Sequence, residues 1–146
     1  MLRRTLLLSF LALSVTLAAP GCSTLSHWTD PGPEELGRSV EAFTKFMRWK
    51  QFAKAKLFVA PGRERAFLKF TQSIETTLDI SDFSVEDVSI DESDAKAGLR
   101  TEGRAQVRIS YTRLPSNVYS TRLIEQTWVV KDGQWMLDFP DGGWDL

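Results

Sequence analysis

A chain of 146 residues, 42% hydrophobic and 25% charged, has room for about one domain with a core large enough to hold itself together. One Cys and one His exclude an intramolecular disulfide framework and a Cys/His zinc site. A formal net charge of −1 excludes the basic excess by which nucleic-acid binders hold phosphate, and no metal, cofactor or nucleic-acid partner is expected.

The amino end reads as an address. Arg3 and Arg4 precede an uncharged apolar run over residues 6–19, too short to span a bilayer and built like a secretory signal. The run ends in Ala19-Pro20-Gly21-Cys22-Ser23. Small residues ahead of a Cys resemble the lipobox of bacterial lipoproteins, where the chain is cut before a cysteine that carries lipid. The pattern departs at Ala19, where lipoproteins usually have Leu, and Ala19 and Gly21 also suit an ordinary signal peptidase cutting the same bond. Chemistry favours lipidation: a lone thiol in an oxidising compartment is a liability that thioether attachment removes. The resemblance implies a signal peptide over residues 1–21, Cys22 as the lipidation site (palmitate among its acyl chains) and membrane contact through it. Ser23, standing where Asp would mark inner-membrane retention, implies the outer membrane, with the protein facing the periplasm.

Residues 22–33 are rich in Ser, Thr, Pro and Gly and lack apolar periodicity, the composition of a tether. His27 lies here, with no rigid element to orient it for chemistry. From Glu34 the pattern is helical: Leu36, Val40, Phe43 and Met47 form one stripe, and Glu34/Arg38 and Glu41/Lys45 are acid-before-base pairs four apart. Residues 52–59 predict a second short helix with Ala53 and Leu57 inward. Pro61 suits the first turn of a third, with Phe67, Phe70, Ile74 and Leu78 as its inner face.

After Leu78 the period falls to two. Ile80, Phe83, Val85, Val88 and Ile90 alternate with polar residues, with a phase slip near Glu86-Asp87 that predicts a bulge. Residues 91–103 read as a polar connection. Ala105, Val107, Ile109 and Tyr111 share one face of the next strand, and Ile124, Gln126, Trp128 and Val130 one face of the third. Asp132-Gly133 is a hairpin signal, followed by Trp135, Leu137 and Phe139. Helices first and an antiparallel meander second predict an α+β domain over residues 34–146.

That order, closing on Trp128-Val-Val-Lys-Asp-Gly-Gln-Trp135-Met-Leu137, resembles the NTF2-like (SnoaL-like, cystatin-like) superfamily over residues 34–139. The resemblance implies N-terminal helices packed on a curved sheet of three to four strands, a cone with a pocket between sheet and helices. Its expected walls are Tyr111, Gln126, Trp128 and Trp135 from strands and Phe43, Met47, Phe67 and Phe70 from helices. Gln126 either faces a ligand or pairs with Tyr111 or a backbone group, since a buried amide without partners costs about 1–3 kcal/mol.

The superfamily includes enzymes of the ketosteroid isomerase type, which need a pocket carboxylate as base. No acidic residue is embedded in an apolar strand face here: Glu125 alternates with Gln126, Asp138 opposes Leu137 and Phe139, and Asp79 and Asp82 flank Ile80. The expected role is therefore a lipid-anchored binding or accessory module for an apolar ligand or an envelope protein, with a small-molecule enzyme using the cone pocket as the alternative. Residues 34–70 carry nine basic and four acidic side chains, and residues 71–99 one basic and eight acidic. The basic block either meets anionic headgroups or an acidic partner, or is simply solvated.

Overall fold

The computed structural model describes residues 31–91 and 102–146. The signal over 1–21, Cys22, His27 and most of the polar connection lie outside the described residues. Pro31 is buried, and the Gly32 carbonyl accepts hydrogen bonds from Leu36 N (3.1 Å) and Trp135 Nε1 (3.3 Å). The packed body therefore starts ahead of Glu34.

Helix α1 (Pro33–Arg48) starts with Pro in its first turn, where a missing N–H is harmless, and has Glu34 and Glu35 at its positive end and Lys45 and Arg48 at its negative end. Its stripe of Leu36, Val40, Phe43 and Met47 is buried as the spacing predicts. Of the two expected ion pairs, Glu34–Arg38 forms, while Glu41 and Lys45 do not pair. Helix α2 (Phe52–Ala55) is one turn long and tightens into a 3₁₀ turn (Lys56–Phe58). Ala55 and Val59 are buried, whereas Ala53 and Leu57, expected inward, are exposed. The inner spacing is Phe52, Ala55, Val59, one step out of phase with the expected pair.

Helix α3 (Glu64–Ile74) begins three residues after Pro61. Gly62 at φ +91° turns the chain first, a conformation that cannot continue a right-handed helix. Phe67, Phe70 and Ile74 form the inner face as expected. Leu78, expected on that face, instead opens the first strand, because the helix ends at Ile74 and Lys50 Nζ donates to the Glu75 carbonyl just beyond it at 2.8 Å.

Four strands, β1 (Leu78–Ile90), β2 (Glu102–Arg113), β3 (Val118–Lys131) and β4 (Gln134–Leu137), form one antiparallel sheet in sequence order. The slip expected near Glu86 is a break in register between Val85 and Asp87, and a second break falls between Ile80 and Asp82. Bulges bend a strand and increase its twist, which helps to curve the sheet around the helices. At the hairpin, Asp132 (φ 51°) and Gly133 (φ 75°) both take the left-handed conformation of a two-residue turn. The outer edge of β4 is partly covered: Ala60 N donates to the Leu137 carbonyl at 2.9 Å, and Val59 bridges Leu137.

α1 lies close on the sheet because Gly103 has no side chain. A Cβ there would stand 2.5 Å from Leu36 Cδ2 and 3.3 Å from the Trp135 ring.

Candidate functional site

The concave face is made of alternate residues of β2 and β3. Ala105, Val107, Ile109 and Tyr111 point inward from β2, and Ile124, Gln126 and Trp128 from β3. Against them pack Phe43 and Met47 from α1 and Phe67 and Phe70 from α3. All eight expected wall residues are brought to one interior and all are buried, Gln126 to 1% exposure and Trp128 to none.

What they surround is other side chains. After β4 the chain turns at Pro140, and Gly143 lies against the Phe70 ring. It delivers two residues that the wall expectation did not include, Phe139 and Trp144. Trp144 stands 4.8 Å from Phe139, 5.6 Å from Phe70 and 5.9 Å from Phe43 between ring centroids. Phe139 in turn packs on Phe67 and Phe70, both at 5.4 Å, and Phe43 meets Trp128 edge-on at 6.0 Å. Such tilted, edge-to-face pairs add to the stabilisation that burial alone supplies. The segment 138–146 is a strap across the cone. Its near end is held by Arg63, whose Nε donates to Asp138 at 2.5 Å and Nη1 to Asp141 at 2.9 Å. At its far end Leu146 is buried and its carbonyl accepts from Arg113 at the end of β2.

Polar groups inside are few. Among the described residues only Thr44, Thr71 and Gln126 are buried polar side chains, and the two threonines donate to their own helices' carbonyls. Gln126 Oε1 accepts from Trp128 Nε1 at 3.1 Å, so its partner is neither Tyr111 nor backbone. Its Nε2 and the Trp144 Nε1 are buried N–H groups without an acceptor.

The carboxylates sit outside. Asp79 pairs with Lys50 at 2.6 Å and Asp82 with Arg48 at 3.6 Å. Glu86 accepts from Arg108 at 2.9 Å and from Ser84 at 2.6 Å. These hydrogen bonds, Arg108's first, and then the Arg108 charge hold the Glu86 carboxyl below its ordinary value. The hydrogen bonds that Arg63 donates to Asp138 and Asp141 raise its pKa further. Among the described residues no cluster of His, Cys, Asp and Glu is arranged to hold a metal.

Open space lies at the periphery. A cleft of about 410 Å³ is walled by Pro31, Leu57, Phe58, Trp135 and Met136, with Glu35, Ser39 and Gln134 at its polar side. A shallow groove of about 450 Å³ runs along the outside of α1 between Arg38, Lys45 and Phe83. A smaller cleft of about 130 Å³ separates α3 from the strap. Of the eight expected residues, Trp135 lends a wall to the first and Phe70 to the last.

This arrangement of helices on a curved meander recurs in solved structures. A ketosteroid isomerase-like protein from Erwinia carotovora atroseptica is 9% identical, with a TM-score of 0.54 over 72% of this chain and 89% of that one. The fold is NTF2-like. Two SEC-C motif containing proteins are similar to this NTF2-like domain as well. That from Rhodopseudomonas palustris is 12% identical (TM-score 0.55, 68% of this chain and 72% of that one). That from Psychrobacter arcticus is 9% identical (TM-score 0.57, 78% and 64%). At such identities the likeness is one of fold. No family model matches the sequence, and no curated protein matches it.

Proposed function

We propose that this chain is a lipoprotein of the outer membrane, anchored through Cys22 and facing the periplasm, whose NTF2-like domain is a binding or accessory module for an apolar ligand or an envelope protein. The observation that carries the binding role is a contrast within the domain. The cone is filled by its own aromatic side chains and holds no carboxylate, ammonium or guanidinium group among the described residues, whereas the rim cleft walled by Pro31, Leu57, Phe58, Trp135 and Met136 has about 410 Å³ open. That volume lies in the range of small-molecule sites, which are mostly apolar with a few polar groups to fix orientation. The anchoring rests on the sequence from Arg3 to Cys22.

Two measurements test the parts separately. Metabolic labelling with a palmitate analogue is abolished by Cys22→Ser if Cys22 carries the lipid; labelling that survives removes the anchor. An uncharged naphthylamine probe brightens on binding the domain and is displaced when Ser39→Trp fills the cleft; a response that Ser39→Trp leaves unchanged places the ligand elsewhere.

The fold it shares with a ketosteroid isomerase-like protein favours a second reading, a small-molecule enzyme using the cone. That chemistry needs a pocket carboxylate as base, and the buried polar side chain on the inner face of β3 is an amide, Gln126. Proton exchange at the α-carbon of a cyclic ketone, catalysed by the purified domain, would establish it.

A further inference from the structure

From Ala42 to Arg63 the chain has six basic residues and no acidic one. Five of them, Lys45, Arg48, Lys50, Lys54 and Lys56, fold around the C-terminal end of α1 and the α2–3₁₀ segment that follows it. That end carries Trp49, 62% exposed, and the 3₁₀ turn carries Leu57, 75% exposed, further back along α1 beside Glu35 and Ser39. Trp49 lies seven residues after Ala42 and four after Lys45, on the side of α1 turned away from Phe43 and Met47. The neighbouring segment is tied in by Phe46, whose ring meets Phe58 at 6.0 Å and carries Lys54 Nζ at 5.6 Å. Arg48 lies over the Trp49 ring at 5.5 Å. Asp82 and Asp79 neutralise Arg48 and Lys50. Lys45, Lys54 and Lys56 have no carboxylate partner among the described residues.

An exposed indole, an exposed leucine and uncompensated lysines along the outer side of α1 and the α2–3₁₀ segment match the chemistry of a bilayer surface. Indoles settle at headgroup level, apolar side chains enter the acyl boundary, and ammonium groups meet lipid phosphates. The geometry points to a second membrane contact in this chain: the outer side of the α2–3₁₀ segment and the C-terminal end of α1, with Leu57 and Trp49, docks on an anionic bilayer, with Lys45, Lys54 and Lys56 against the phosphates. For its setting the contact rests on the anchoring proposed above. Reach permits it, since the nine residues from 22 to 30 span at most about 32 Å and α1 is only about 24 Å long. Leu57 is also a wall of the rim cleft, so docking would bring the mouth of that cleft to the lipid.

The test uses residues 31–146, which contain every core contact described above and lack the apolar run over 6–19. The fragment is sedimented with vesicles of phosphatidylcholine alone or mixed with phosphatidylglycerol. Binding is expected to the mixed vesicles, to weaken as salt is raised, and to fall about tenfold in Trp49→Ala/Leu57→Ser with the melting temperature unchanged. Lys54→Glu/Lys56→Glu removes the preference for phosphatidylglycerol. No binding, equal binding to both vesicles, or variants that bind like the parent overturns the proposal, and no binding to either vesicle leaves an acidic protein as the partner for this face. The anchor is judged apart: palmitate labelling at Cys22 without vesicle binding removes only the docking face, and vesicle binding with labelling that survives Cys22→Ser removes only the anchor.

Discussion

Arg63 and Asp138 are 75 positions apart in the chain, and their side chains meet at 2.5 Å. The same guanidinium reaches Asp141 at 2.9 Å, so one residue ahead of α3 fixes the direction in which the chain leaves β4. A planar fork serving two carboxylates is a task for Arg rather than Lys. Arg63→Lys is therefore expected to behave like Arg63→Ala: amide exchange at residues 139–146 accelerates while the β2–β3 amides stay protected. If exchange at Trp144 and Leu146 is unaffected in Arg63→Ala, the clamp has no part in holding the strap.

Trp144 fills space between three aromatic rings, and its removal leaves a cavity. Truncating a well-packed Trp costs about 3–5 kcal/mol, and a half-buried one falls toward the lower end. Trp144→Ala is expected to lose about 3 kcal/mol in urea unfolding and to regain part of it when indole is added, since an apolar cavity of that shape takes up the missing ring. A loss without rescue would mean that the interior collapses onto Phe43 and Phe70.

Two glycines differ in what a methyl group would meet. At Gly143 the backbone has φ +73° and a Cβ would lie 2.7 Å from the Phe70 ring. At Gly37, inside α1, nothing stands within 4 Å. Gly143→Ala is expected to destabilise by about 2–4 kcal/mol, from the left-handed backbone and overpacking together. Gly37→Ala is expected to stabilise by up to about 1 kcal/mol through helix propensity. Thermal melts of the two variants moving in the same direction would contradict the packing described for the strap.

Glu86 carries a pH dependence whose sign follows from its partners. Its carboxyl is held low by hydrogen bonds from Arg108 and Ser84 and by the Arg108 charge. A group lowered in the folded state contributes stability that is present above its unfolded pKa and lost as pH falls through the folded one. The Glu86 carboxyl resonance is thus expected to titrate below the ordinary Glu value of about 4.3, and to return toward it in Arg108→Leu. A midpoint indifferent to that substitution would remove Arg108 as the cause.

Legibility in the sequence followed the reach of the forces. The α1 stripe and the alternation of Ala105, Val107, Ile109 and Tyr111 are set by local period and appear in the structure as read. So does the Asp132-Gly133 turn, where left-handed conformations call for those residues. The break near Ile80 carries the same signal as the one at Glu86-Asp87, two polar residues (Ser81-Asp82) between apolar positions three apart, but was missed. Leu57 and Pro61 were misplaced by short-range reasoning: one helical turn is too short for a reliable phase, and Gly62 reset the chain direction. The interior was harder still. Gln126 could be placed on the inward face, but its bond to Trp128 Nε1 joins two neighbours of the same strand face, and alternation alone does not choose a partner. Trp144 follows Gly142-Gly143, a turn signal that could have flagged a return to the core, yet its destination between α1 and α3 is set wholly by tertiary packing.

The same long-range closure has a bearing on the order in which this chain can fold. Gly32 and Trp135 are joined across 103 positions, and Phe43 waits for Trp144 to cover it. A polypeptide emerging amino end first exposes the apolar stripes of α1 and α3 until β4 and the strap follow, because non-local contacts must pay loop closure before they return anything. Late completion leaves the nascent helices with uncovered apolar stripes, open to association with other chains, for most of the synthesis.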